Sequence, residues 1–594
     1  MRHYYSIKKS FYLLSFLALF TISCKNGTPT SVSESGKKEV KRSKFAGTYP
    51  DFNPTIFKEL LQSQIVSDSV LNPYYTVAEY APLWVHDTLD TQSLRQFIDL
   101  LVNVETHGLP VNLFPADKIK YLTDSVDTGF YTGNPELLYN KMYELEQLST
   151  GTALKYIIGM RFGFLNPKKL YKKNYDITIS APDSLYMLEL YKEIKQNPLA
   201  AILNSHPTNE VYLKLQKEYL DLEKRKEDKF KKITAGDVTY KVGTKNKHIS
   251  EIAERLMFTG EYEPDSIGIG TDTLHQILNE NLMAAINKFR KRISYPEEQE
   301  VGKLTIEALN RPFEYYQKRI QANMERYRWK RNKEVHNKHI EVNVAAAMLT
   351  ATQKDSLPLL MRVCVGTLSN KTPLLQSDIA YMNLNPVWNV PKSIAQGEIA
   401  VKQKKDPTYI KRNNMKLYKG GKEVDLESID WKEINPSKFS YYIRQSPGGG
   451  NSLGLIKFMF NNAFSVYLHD TPSKRAFTRK NRAVSHGCVR VQKPFDLAFF
   501  CASPVDEIYK DRLFYSIKKD PVSKEGKKLL KEQKLKKLPD IINIAPESKI
   551  SLFIDYYTAF TYPNDTTLYY ADDVYGYDNT ILNALDSLVM KQAY

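Results

Sequence analysis

The sequence predicts a multidomain α+β chain: a helical N-terminal scaffold, a small three-helix unit, and a β-rich C-terminal domain. Three observations predict it. Apolar residues recur at spacings of three and four through residues 50–225, as in Leu94, Phe97, Ile98 and Leu101, the period of a helix with one buried face. Three shorter helical patterns broken by glycine-marked turns follow between residues 234 and 312. From His339 onward the period falls to two, as in His339-Ile340-Glu341-Val342-Asn343-Val344, the alternation of a strand with one buried face. A chain of 594 residues has room for about three units of ~100–200 residues each.

The first segment is an export signal. Arg2, His3, Lys8 and Lys9 precede an apolar run from Phe11 to Ile22, too short to span a bilayer and the right length for a signal-peptide core, which assigns residues 1–23 to a signal peptide. The run ends Thr21-Ile22-Ser23-Cys24, which resembles the lipobox of bacterial lipoproteins. That resemblance implies lipidation of Cys24, attachment to a membrane through the lipid, and a periplasmic location. Residues 24–48 are poor in apolar side chains and are read as a solvated tether.

Residues 49–225 carry the helical scaffold and hold no catalytic constellation. The charged run 223–233, Glu-Lys-Arg-Lys-Glu-Asp-Lys-Phe-Lys-Lys-Ile, marks a boundary. In residues 234–312 the patterns around Ile249-Ser250-Glu251-Ile252, Met283-Ala284-Ala285-Ile286 and Leu304-Thr305-Ile306 resemble the small peptidoglycan-binding-like domain of cell-wall enzymes. Wall binding and a spacer role both fit this unit. A helix through Tyr316–Trp329 leads into the C-terminal domain. Its strands are expected at 339–344, 359–365 and 379–384, with a hairpin of Leu455–Phe460, a turn at Asn461-Asn462, and Phe464–His469, since asparagine tolerates the positive φ of tight turns.

The formal net charge of +17 implies attraction to polyanions. Nucleic acid is excluded as a partner by the export signal. Only four cysteines occur, Cys24, Cys364, Cys488 and Cys501, too few for a disulfide scaffold. Cys364 lies within an alternating stretch and reads as a buried small hydrophobe. No Cys/His spacing fits a zinc site, so neither a metal nor a cofactor is expected.

Chemistry concentrates near the C-terminus. Tyr467-Leu468-His469-Asp470-Thr471-Pro472 is followed by a basic loop, 473–482, and then by Ser485-His486-Gly487-Cys488-Val489-Arg490. Alternation sends Ser465, Tyr467 and His469 to one polar face, where the imidazole reaches solvent and a neighbour. Gly487 before Cys488 gives backbone freedom where an oxyanion needs amide donors. A thiol with a pKa of ~8.5 needs a base or a cation to become nucleophilic at neutral pH, and His469 and His486 both offer one. Two other readings stay open on these residues alone: a buried core thiol, or a disulfide between Cys488 and Cys501.

The segment Ser485–Arg490, taken with Tyr467–Pro472, resembles the signature of the L,D-transpeptidases of bacterial cell walls. Arg444-Gln445-Ser446-Pro447-Gly448, Asn451-Ser452-Leu453-Gly454, Lys457-Phe458 and Asn385-Pro386-Val387-Trp388-Asn389-Val390-Pro391 resemble the large periplasmic members of that family. The resemblance implies a mixed β-sandwich catalytic domain at 335–535, a capping insertion at about 395–440, and a C-terminal extension at 536–594. It implies Cys488 as nucleophile, His469 as general base, and Gly487 with the Cys488 amide as oxyanion environment. Ser485, His486, Arg490, Tyr467 and Arg444 become substrate-binding residues. The implied reaction joins a tetrapeptide stem to an amine of a second stem with loss of D-alanine, a 3–3 crosslink. The alternatives are hydrolysis of the same stems as a carboxypeptidase or endopeptidase, and a non-catalytic wall-binding lipoprotein.

Overall fold

The computed structural model describes residues 44–225, 232–263, 277–330 and 335–590. The signal peptide, Cys24, most of the tether and the middle of the charged run 223–233 lie outside the described residues. The end of the expected tether is not solvated chain: Lys44–Thr48 is a helical turn whose Phe45 is buried and packs edge-on against Phe52 at 5.1 Å. An aromatic side chain at each of 45, 49 and 52 supplies the apolar area that a tether lacks.

The N-terminal region is helical, and polar caps punctuate it. Asn53, Asp90, Asn134, Asp183, Asn197 and Asn209 each accept a hydrogen bond from the first turn of the helix they precede. Proline stands at the first helical position after Asn53, Asn134 and Asn197, where a missing N–H costs nothing. The longest helix, Pro135–Phe162, runs through the middle of the scaffold. Its Glu146 is fully buried and its two oxygens take the amides of Leu83, Trp84 and Val85, so one carboxylate caps a whole loop. Among the described residues no helix is long and apolar enough to cross a membrane.

Within 234–312 the helices are Lys247–Thr259, Glu280–Arg292 and Lys303–Leu309, with strand Tyr240–Lys241 paired to Glu300–Val301. Their apolar faces join one core with helix Glu210–Lys224, helix Phe313–Arg328 and Tyr570 from near the C-terminus. Helix Phe313–Arg328 ties the regions together. Glu325 accepts the amides of Phe164 and Leu165 at 2.7 and 2.8 Å, and Arg326 pairs with Asp578 at 2.6 Å.

The C-terminal domain is built on one continuous sheet. Its main strands are β1 (Lys338–Asn343), β2 (Met348–Gln353), β3 (Leu359–Gly366), β4 (Leu374–Leu384), β5 (Ile456–Phe460), β6 (Leu468–His469), β7 (Val489–Val491) and β8 (Ile550–Asp555), with short strands Ala483–Ser485 on β3 and Ile541–Asn543 on β4. The pairing order is β4-β5-β6-β7-β3-β2-β1-β8, and β8 pairs back to β4. The expected sandwich is therefore closed, because the long strands β3 and β4 serve both layers and no open edge separates them.

That closure corrects the division at residue 535. β8 lies parallel to β1 and antiparallel to β4, with Leu552 opposite Ile340 on one side and Ser377 on the other. The segment 536–594 is thus no appendage but the closing strand of the domain, followed by helix Tyr577–Met590 packed on helix Phe313–Arg328. The scaffold also reaches in, since Tyr175–Asp176 pairs parallel with β4.

The interval 395–440 belongs to a larger unit. Strands Trp388–Asn389, Met415–Lys419, Lys422–Val424 and Tyr442–Gln445 form a separate four-stranded sheet over a core of Val390, Ile399, Ile410, Leu417, Trp431 and Ile443. The neck of this insertion is closed by Asn451, whose side-chain amide donates to the carbonyls of Pro386, Gln445 and Ser446.

Candidate active site

The hairpin that carries His469 differs from the expected two-residue turn. Residues 461–467 form an irregular connection, because the Asn462 side chain accepts from the amides of Phe464 and Val466 and donates to the carbonyls of Phe460 and Val466. Ser465 adopts φ 56°, which breaks the alternation, and β6 keeps only Leu468 and His469. His469 is 4% exposed and so faces an interior, not solvent.

Register then assembles the site. Lys457 of β5 lies opposite His469 of β6, His469 opposite Arg490 of β7, and Arg490 opposite Cys364 of β3. On β4, Asn383 lies opposite Lys457, so one row crosses five strands. Tyr467 and Cys488 stand just ahead of β6 and β7, two residues before His469 and Arg490; the Tyr467 ring lies 5.7 Å from that of His469, and Tyr467 hydrogen-bonds Cys488. His469 and Arg490 are placed side by side by the register of a two-residue and a three-residue strand.

Electrostatics explain the resting state. The His469 pKa is lowered to about 4, first by burial and then by the Arg490 charge, with Lys457 adding to it. Its Nδ1 donates to the Asp470 carbonyl at 2.5 Å, which leaves Nε2 as the acceptor nitrogen. Burial pushes the Cys488 thiol above its ordinary value, while hydrogen bonds from the Tyr467 main chain and hydroxyl and the charges of Lys457 and Arg490 pull it down. The Lys457 ammonium sits 4.2 Å from the Tyr467 ring centroid, a cation on an aromatic face. At neutral pH the site holds a protonated thiol and a neutral imidazole.

The turn before β7 is tied internally. Ser485 Oγ accepts the Gly487 amide at 3.1 Å and donates to the Cys488 carbonyl at 2.6 Å. The Gly487 amide is thereby engaged by Ser485. What Gly487 contributes is φ 117°, a conformation that side-chain-bearing residues rarely adopt. Cys364, Cys488 and Cys501 are all free thiols, which removes the Cys488–Cys501 disulfide.

Two expected site residues lie outside the buried row. His486 is turned to the rim, its Nε2 3.5 Å from Glu398 of the insertion. Arg444 is exposed in the insertion sheet, opposite Asn389 and stacked 4.9 Å from the Tyr418 ring centroid. The basic loop is also less available than its composition implies. Lys474 pairs with Asp470 at 2.5 Å, Lys480 lies 3.5 Å from Asp572 and over the Tyr295 ring, and buried Arg482 donates to the Ala346 carbonyl. Lys457, Glu398 and Trp388, whose side chain bonds the Tyr467 hydroxyl, are neighbours of the site that residue patterns did not assign to it. For Lys457 a signal existed: a cation between Ile456 and Phe458 in an apolar strand.

Residues 337–522 match the family model of the L,D-transpeptidase catalytic domain, and residues 69–218 match that of a Scaffold domain. A Haemophilus influenzae protein whose name assigns it to the L,D-transpeptidases is 41% identical over 160 residues, 27% of this chain. The chain spans only 32% of that relative's length. A solved L,D-transpeptidase from Stackebrandtia nassauensis pairs with 45% of this chain and 89% of its own, at 14% identity and a TM-score of 0.20. Residues 337–522, which contain the whole row around His469 and Cys488, thus carry the match to the L,D-transpeptidase catalytic domain, and the match to a Scaffold domain stands ahead of it.

Proposed function

We propose that this protein is a cysteine-dependent peptidoglycan L,D-transpeptidase that forms 3–3 crosslinks. The observation that carries the reading is the placement of Cys488 just ahead of β7, two residues before the Arg490 that pairs with His469, with the charges of Lys457 and Arg490 acting on it and hydrogen bonds from Tyr467. In the first step Cys488 Sγ bonds to the carbonyl carbon of the third stem residue, the carbonyl π pair moves to oxygen, and the thiol proton passes to His469. Collapse of that intermediate breaks the bond to D-alanine, whose amine leaves with the proton from His469. The thioester is then attacked by an amine of a second stem, which gives its proton to His469 and releases Cys488 as thiol. Because the His469 pKa is about 4, the imidazole is a neutral acceptor at the start of each half-reaction.

Arg490 supports substrate binding in this reading, since its Nε is buried with no hydrogen-bond partner among the described residues and a stem carboxylate would supply one. The Cys488 amide is the oxyanion donor. The insertion 388–445 acts as a cap over the donor site, touching it through Trp388 and Glu398. The unit at 234–312 contacts wall, and Cys24 carries a lipid that holds the protein to a bacterial membrane in the periplasm. The test is incubation with purified disaccharide-tetrapeptide followed by mass spectrometry, for native protein and Cys488→Ala. Dimers that vanish in the variant support transpeptidation. Tripeptide without dimer assigns hydrolysis, and no turnover with a Cys488 inert to thiol reagents removes the catalytic reading.

A further inference from the structure

Every polar main-chain group of the turn from the Gly487 amide to the Val489 amide is engaged except one. The Gly487 amide goes to Ser485 Oγ, the Gly487 carbonyl accepts from Thr372 Oγ1 at 2.8 Å, the Cys488 carbonyl accepts from Ser485, and the Val489 amide donates to the Tyr467 carbonyl at 3.1 Å. The Cys488 amide makes no hydrogen bond among the described residues. A trans peptide points its C=O and N–H in opposite directions. Drawing the Gly487 carbonyl toward Thr372 therefore drives the Cys488 N–H the other way.

Thr372 is set by its own surroundings. A hydroxyl has one hydrogen, and the Gly366 amide donates to Thr372 Oγ1 at 2.8 Å, which leaves that hydrogen for Gly487. The Thr372 amide donates at 3.1 Å to the hydroxyl of Tyr575, which donates at 2.6 Å to the Gly366 carbonyl. One phenol thus holds both sides of the loop that carries Thr372. Tyr575 is fixed in turn by its amide, which donates to the Tyr556 hydroxyl at 2.9 Å, and by stacking on the Tyr556 ring at 5.6 Å. Thr372 and Tyr575 are both buried, so water does not compete for these bonds. The loop has no slack: a Cβ added at Gly366 would lie 2.0 Å from the Asn370 carbonyl oxygen.

We propose that Thr372 and Tyr575 are positioning residues for acyl transfer, which together aim the Cys488 amide at the carbonyl oxygen of the acyl donor. The proposal rests on the reading of Cys488 as acyl carrier. It gives the C-terminal segment a share in building the oxyanion site, although it contributes no group that touches substrate.

The test compares full-length native protein with Thr372→Val, Thr372→Ser and Tyr575→Phe by two rates: D-alanine release from disaccharide-tetrapeptide, and alkylation of Cys488 by iodoacetamide. Alkylation forms no oxyanion and reports the thiol alone. Loss of one oxyanion donor lowers kcat by ~100–1,000-fold, and misaiming one is expected to cost less, about 10–100-fold for Thr372→Val. KM should stay within about twofold, because the interaction is made in the transition state. Tyr575→Phe should show a smaller loss of the same kind, and Thr372→Ser should restore most of the rate. Alkylation should be unchanged in all three. Should Thr372→Val not fold, the contrast of Tyr575→Phe with native protein decides. Unchanged kcat in the folded variants overturns the proposal, as does alkylation falling in step with kcat. A native protein that releases no D-alanine overturns the transpeptidase reading instead.

Discussion

Replacing Lys457 by methionine should raise the pH at which Cys488 becomes reactive by roughly one unit. The Lys457 ammonium lies 4.2 Å from the Tyr467 ring centroid, and the Tyr467 hydroxyl is hydrogen-bonded to Cys488. Taking ~3 Å from ring centroid to hydroxyl and ~3.3 Å from hydroxyl to sulfur, the charge is on the order of 7 Å from the sulfur. At this distance and an effective dielectric between ~20 and ~40, the attraction between ammonium and thiolate is about 1–2 kcal/mol. Since 1.36 kcal/mol is one pK unit, removing the charge should shift the thiol upward by about that much. The sign follows from the charge: a cation stabilises the thiolate, so its loss favours the thiol. The assay is the pH dependence of iodoacetamide labelling, read as modification of the Cys488 peptide by mass spectrometry. Buried Cys364 and Cys501 should stay unlabelled in the folded protein. Near neutral pH the variant should label about 10-fold more slowly, and Lys457→Arg should label like native protein. A midpoint that stays in place, or one that falls, refutes the assignment of Lys457 as a charge that tunes the thiol.

The same electrostatics fix the acid side of catalysis. With the His469 pKa near 4, D-alanine release should be flat from pH 7 to about 5 and half-maximal near 4; a midpoint at the ordinary histidine value of ~6.5 contradicts the structure. His469 and His107 have folded pKa values lowered to about 4 and about 2, and His206 is lowered as well, each chiefly by burial. The unfolded chain binds protons that the native state refuses, so stability should fall as pH drops below ~6.5. His107→Gln should flatten that slope in thermal melts between pH 7 and 4. Gly454 has φ 63° and a Cβ there would lie 2.3 Å from the Asp470 carboxyl carbon, so Gly454→Ala should cost more than the ~1 kcal/mol of an ordinary glycine replacement in denaturant titrations. Ile554→Ala in β8 should cost ~2–5 kcal/mol, the range for a fully buried side chain, whereas an appendage would tolerate it.

Helices were legible because their periodicity and caps are local: Asp90 and the stripe Leu94, Phe97, Ile98 and Leu101 need no distant partner. β8 was not, because Ile550–Asp555 is buried at every position and so lacks the alternation that marks a one-sided strand. Without β8 the closure of the sheet could not be anticipated, and residues 536–594 looked like an addition. The site was legible to the extent that its residues sit within a few positions of one another, as Tyr467 and His469 do, or Gly487, Cys488 and Arg490. Its exposure was misjudged because a polar strand face reads as solvated, whereas His469 is buried and the neighbouring Tyr467 hydroxyl is bonded by Trp388. Thr372 and Tyr575 carry no pattern of their own. They are joined to Gly487 only by tertiary pairing across 115 and 88 positions of chain, the first read directly from the Thr372 bond and the second through it.

The closing strand also imposes an order on synthesis. β1 is made more than two hundred residues before β8, its partner in the sheet, and every strand of the row around Cys488 is made before the strand that seals the ring. A growing chain therefore carries its thiol, its imidazole and both flanking cations well before the domain that arranges them can shut. Pairings so distant in sequence form late and slowly. Maturation of the nucleophile is timed by the arrival of β8, so a chain cut short before residue 550 would present a cysteine without a working site.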